Sequence, residues 1–99
     1  MVVDLSTHYA KMEQELVGLL QKVAHMLTPS DLAEATEYLA AREYGLALEE
    51  IVEGLAEQHP DAVLGLAPTI GRLAQAMQIE DRPFVKALPP SAGAVQRRY

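Results

Sequence analysis

Residues 28 to 55 read TPSDLAEATEYLAAREYGLALEEIVEGL, which is the grammar of two helices and the break between them. Thr28 can cap a helix, Pro29 suits its first position because the missing N–H would be unpaired there anyway, and Asp31 gives a capping-box-like start. Leu32, Ala35, Thr36, Leu39 and Ala40 then recur at helical spacing, and Tyr38 falls outside that stripe, between Asp31 and Glu34 in angle. Gly45 costs about 1 kcal/mol relative to alanine inside a helix, so a tight turn is expected near residues 41 to 45. Gly45 would sit in the first turn of the next helix or just before it, with the Tyr44 ring over the corner. Beyond it Ala47, Leu48, Ile51, Val52 and Leu55 share one side, and Glu49, Glu50, Glu53 and Glu57 lie on the opposite one as a solvated ridge.

The same periodicity extends in both directions. Upstream, Tyr9, Met12, Leu16, Leu19, Leu20, Val23 and Leu27 stay within one stripe at about 100° per residue, a long amphipathic helix near 4 to 27. Downstream, QHPD ends the third helix, and Ile70, Leu73, Ala74 and Met77 predict a fourth over about 68 to 78. Pro68 would remove a hydrogen bond inside a longer helix, so residues 62 to 67 are left open. The expected fold is an all-α bundle of about four helices, near 4 to 27, 29 to 42, 45 to 58 and 68 to 78, with a tight helix–helix corner. Its core is expected at Leu16, Leu20, Leu39, Leu48, Ile51, Leu55 and Leu73. Residues 1 to 80 form this domain, and 81 to 99 read as a basic, proline-containing extended tail docked in part through Phe84, Val85 and Leu88. Residues 89 to 99 carry too little apolar surface to offset the entropy of ordering.

Composition narrows the function. A chain of 99 residues supports one core. The absence of cysteine excludes disulfides, thiolate zinc sites and cysteine nucleophiles, and fits a reducing cytoplasm. MVVDLSTHY has no signal-peptide pattern and no apolar run is long enough to span a bilayer, so a soluble, cytoplasmic protein is expected. The net charge of -6 hides an asymmetry: residues 1 to 80 hold four basic residues against thirteen acidic ones, and residues 81 to 99 hold four against one. An acidic body repels phosphate backbones and attracts basic partners, which argues against nucleic acid and for a protein partner.

Constellations for chemistry are sparse. His8, His25 and His59 have no pair at the spacing that aims two imidazoles at one metal. The carboxylate pairs Glu34/Glu37 and Glu50/Glu53 lack the histidine of a di-iron Glu–x–x–His motif. Ser6, Thr28, Ser30 and Ser91 have no adjacent base, and there is no phosphate-cradling glycine motif. No cofactor, metal or catalytic activity is expected. What remains is a surface: Glu34, Glu37 and Tyr38 on the second helix with Glu49, Glu50, Glu53 and Glu57 on the third. A tyrosine flanked by carboxylates suits a protein interface, because the ring supplies area and the charges steer a basic partner.

The stretch quoted above also resembles the middle of the Maf-type immunity proteins (the MafI family). The resemblance rests on the corner Glu43, Tyr44, Gly45, Ala47, Leu48 and Glu49 and on the order of helices around it, over roughly residues 12 to 80. Arg42 stands where that pattern often has glycine. The resemblance implies a cytoplasmic antitoxin that binds and neutralises a cognate bacterial polymorphic toxin, often a nuclease with a basic cleft. The alternative reading is a helical-hairpin adaptor, or a regulatory homodimer formed through the long first helix.

Overall fold

The structure, a computed structural model, describes residues 5 to 88. Four principal helices and one short one make up the described chain, with no strand: α1 (Leu5–Val23), a 3-10 turn (Ala24–Met26), α2 (Pro29–Ala40), α3 (Tyr44–Gln58), α4 (Pro60–Ala76) and α5 (Pro83–Lys86). None of these helices is long and apolar enough to cross a membrane. The expectations for residues 89 to 99, including Ser91 and the basic end of the tail, lie outside the described residues, as does the start of the first helix at residue 4.

The central element is α3, because it alone buries two sides. Ala47, Leu48, Ile51 and Leu55 have essentially no exposed surface, and α1, α2, α4 and α5 all pack on this helix. All seven residues expected in the core are buried in it, joined by Val23, Ile70 and Phe84. The apolar stripe of α1 enters through Met12, Leu16, Leu19, Leu20 and Val23. A helix with one buried stripe needs a single neighbouring surface, whereas one lined with apolar and small residues on two sides organises a bundle around itself.

The start of α2 is built as the sequence implies. The Asp31 N–H donates to Thr28 Oγ1 at 3.1 Å and Pro29 occupies the first turn. Its end differs from expectation, stopping at Ala40 rather than residue 42. Arg42 has φ 61°, in the left-handed region, while its N–H bonds to Leu39 O and the Glu43 N–H to Tyr38 O. These two bonds define a Schellman ending, in which glycine is the usual occupant of the left-handed position. Here arginine fills it. The end of α4 repeats the device with Gln78 at φ 61°, bonded to Gln75 O, and Ile79 bonded to Ala74 O and buried.

The corner glycine therefore does something other than turn the chain. Gly45 lies in the first turn of α3, and no glycine among the described residues has positive φ. A Cβ there would stand 3.2 Å from Arg82 Nη1, so the glycine leaves room for the guanidinium of a residue that follows α4. The reversal belongs to Arg42.

The fourth helix is longer than its predicted core of 68 to 78. It runs unbroken from Pro60 to Ala76 with Pro68 inside. Val63, Ala67, Ile70, Leu73 and Ala74 are buried along one continuous stripe, while Pro68 and Leu64 are exposed. Proline removes the N–H that would bond to the carbonyl four residues earlier, here that of Leu64, on the wet side where water can replace the donor. Burial on the other side holds the two halves in one helix. A single residue, His59, ends α3 and starts α4.

Residues 81 to 88 pack onto this body. Phe84 is buried, Val85 and Leu88 are half-buried against the core, and Pro83 opens the short α5. These are the three apolar residues through which the tail was expected to dock.

Candidate functional site: an acidic face on the α2–α3 hairpin

The three-residue connection folds α3 back along α2, so that the start of α2 lies beside the end of α3. The approach is close at Gly54, where a Cβ would sit 2.9 Å from both Asp31 Oδ2 of α2 and Cδ2 of Leu27, which precedes it. The absent side chain lets a carboxylate lie against a helix surface. Asp31, Glu34 and Glu50 thereby converge, with one oxygen of each within 4.8 Å of the others. Tyr38 lies beside them, half-buried against the core rather than outside it.

Three anions brought together in a partly dry seam do not all remain ionised. Burial, hydrogen bonding to Asp31 and the charge of Glu34 together push the Glu50 carboxyl up to about 7. Desolvation, followed by the charges of Glu34 and Glu50, also raises the Tyr38 phenol above its ordinary value. Ion pairs among the described residues are Arg72–Glu15 at 3.1 Å and Arg82–Glu49 at 4.0 Å. Neither brings a cation to the seam.

The single glutamate ridge expected on α3 is divided in two. Glu50 turns into the seam with α2 and is half-buried, because its position on the helix lies toward the neighbour and not directly opposite the core. Glu49 is also half-buried, held toward Arg82. Glu53 and Glu57 are exposed and continue the Glu49 row, and burial with the charges of Glu49 and Glu57 raises the Glu53 carboxyl. That row borders a groove of about 330 Å³ lined by Val52, Ala56, Val63, Phe84 and Leu88. Glu34 and Glu37 are exposed on α2, and Glu37 is not among the groups gathered at the seam.

The corner residues stand where the sequence places them, Glu43 in the connection and Gly45 in the first turn of α3, and the Tyr44 side chain is what differs. Glu43 precedes α3 without a side-chain cap, and is exposed. Tyr44 does not cap the α2–α3 corner; its hydroxyl donates to Glu13 Oε1 at 2.8 Å, tying α3 to α1, and that bond raises its phenol. Its ring also lies 6.5 Å from that of Tyr9. The Glu43–Tyr44–Gly45 signature thus has three separate structural roles.

Sequence reading missed Asp31 as a member of the acidic cluster, assigning it to a cap alone. The signal was available in Gly54, a glycine in the middle of an otherwise strong helix, which marks a close approach by something else. Arg82 was missed because its partner, Glu49, lies in a different helix.

A scan against protein families, a search of curated proteins and a search of solved structures each return no match to this chain.

Proposed function

We propose that the chain is a non-catalytic binding protein of the cytoplasm whose acidic α2–α3 face docks on a basic protein surface, in the role of an immunity protein toward a toxin domain. The toxin is a nuclease on this reading, since an enzyme that acts on phosphate backbones presents a basic cleft. The observation that supports it is the hairpin's uncompensated charge: Asp31, Glu34, Glu50, Glu53 and Glu57 stand on two adjoining helices with no cation in ion-pair reach among the described residues. Such a face costs stability through self-repulsion and gains electrostatic steering of a basic partner. The resemblance of the corner to Maf-type immunity proteins supplies the identity of the partner class.

The test is association kinetics with the toxin-domain product of the neighbouring gene. Reversing Glu37, Glu53 and Glu57 to lysine changes exposed carboxylates that are not among the three gathered at the seam. Association is expected to slow by about a decade or more at low salt, with the difference shrinking as salt rises. An unchanged association rate would remove this face from the interface.

A second reading draws on another surface. A groove of about 430 Å³ between α1 and α2 is lined by Val17, Leu20, Ala24, Leu32 and Leu39. It supports the adaptor alternative, with an apolar peptide or a second copy as occupant, and the same experiment separates the two. Binding through that groove would be insensitive both to salt and to the three reversals.

A further inference from the structure

We propose that the α2–α3 seam is a proton-dependent latch, in which a proton on the Glu50 carboxyl, donated to the neighbouring Asp31 or Glu34 carboxylate, holds the hairpin together and its loss as pH rises loosens α2 from α3. The argument begins with geometry. The three carboxylates have oxygens within 4.8 Å of one another. Two of them have little room to spread, because Asp31 lies against α3 at Gly54 with the buried Leu27 on the same site, and Glu50 springs half-buried from the helix that packs against every other. With one proton, a carboxylic acid donates to a neighbouring carboxylate and the contact is attractive. Without it, three like charges face each other across a helix seam.

Among the described residues, no neighbouring group supplies the missing positive charge. From α2 the groups facing Glu50 are Asp31, Glu34 and the Tyr38 phenol, all acids. On α3 itself the nearby Glu49, Glu53 and Glu57 are also acidic. The α1 carboxylates Glu13 and Glu15 are engaged by Tyr44 and by Arg72 of α4, and of the two arginines beside α3, Arg42 in the connection acts on Tyr44 while Arg82 ahead of α5 is directed to Glu49 and Gly45. Among the described residues, a proton is the counterion left to the seam.

The sign follows from linkage. Glu50 has an ordinary value of 4.5 and stands at about 7 in the folded protein, so the folded state holds a proton that the unfolded chain releases. The resulting stabilisation is complete below about 4.5 and is lost as pH rises through about 7. The same proton would be displaced by a partner's cation, which gives the proposed binding face a pH dependence. The latch itself does not rest on that reading.

The experiment uses the isolated protein and needs no partner. Urea unfolding is followed at pH 5 and pH 8 for wild type, Glu50→Gln and Glu57→Gln, and the carboxyl carbon of Glu50 is titrated by NMR. After discount for solvent screening at a half-exposed site, the wild-type unfolding constant is expected to rise about tenfold between the two pH values. Glu50→Gln should remove most of that rise, and Glu57→Gln should leave it in place. Should Glu50→Gln fail to fold, Glu34→Gln takes its place with the same expectation. Equal flattening by Glu50→Gln and Glu57→Gln would reduce the effect to general charge repulsion, and a Glu50 titration near 4.5 would overturn the latch outright.

Discussion

The two seams of α3 are held by different physics. Toward α4 the contact is built from buried aliphatic side chains, with Val52 and Leu55 on one helix and Val63, Ile70 and Leu73 on the other. Toward α2 apolar contact through Ala35 and Leu39 is joined by an open edge lined by three carboxylates. The connections differ in the same sense: one residue joins α3 to α4, and three join α2 to α3, one of them an arginine with positive φ. One side of the central helix is therefore fixed by burial, and the other is adjustable by charge. The binding face proposed for the second seam would respond to pH and to a basic partner without disturbing the first.

The contrast can be broken from the apolar side. Ile70 is fully buried, so Ile70→Ala is expected to destabilise by about 3 kcal/mol through lost transfer energy and a cavity. Urea unfolding at fixed pH measures it, and the loss should be the same at pH 5 and pH 8. Substitution at Gly54 attacks the acidic seam by volume. Gly54→Val would drive methyl groups into Asp31 and Leu27, and overpacking of this kind costs about 2 kcal/mol. Because it also spreads the carboxylates, its cost should fall as pH rises, a dependence that Ile70→Ala lacks. The smallest effect is expected at the connection. Arg42→Gly relieves a side chain from the left-handed region and should stabilise by about 0.5 to 1 kcal/mol, read as a raised urea midpoint with an unchanged slope. A lowered midpoint would show that the arginine side chain contributes more than its backbone conformation costs.

How much of this was legible in the sequence depended on whether the cause was local. Thr28 and Pro29 announce the start of α2, and period-3.6 apolar spacing identified the core leucines, because both signals are set within a few residues. Pro68 misled the reading of α4: the penalty is local, and the stripe that overrides it spans the whole helix. The sequence offers Gly45 as the permissive residue of the corner, yet arginine at 42 carries the left-handed conformation and Gly45 lies in the first turn of α3. The candidate site was legible in its composition and not in its partition. Angles on an isolated helix place Glu50 with Glu53 and Glu57, and only the arrival of Asp31 and Glu34 from α2 separates them. The tie between Tyr44 and Glu13 was hidden for the same reason, since nothing near either residue names the other.

The single-residue link at His59 and the three-residue link before α3 carry a consequence for how the chain assembles. Closing a loop costs entropy that grows with its length, and these two reversals close almost none. The contacts of α1 are another matter, because Tyr44 reaches Glu13 across 31 positions and Arg72 reaches Glu15 across 57. The chain entropy lost in building this topology is thus concentrated in docking its two ends, the first helix and the segment after α4 that brings Arg82 to Glu49, while α2, α3 and α4 form a continuous hairpin ribbon from neighbours in sequence.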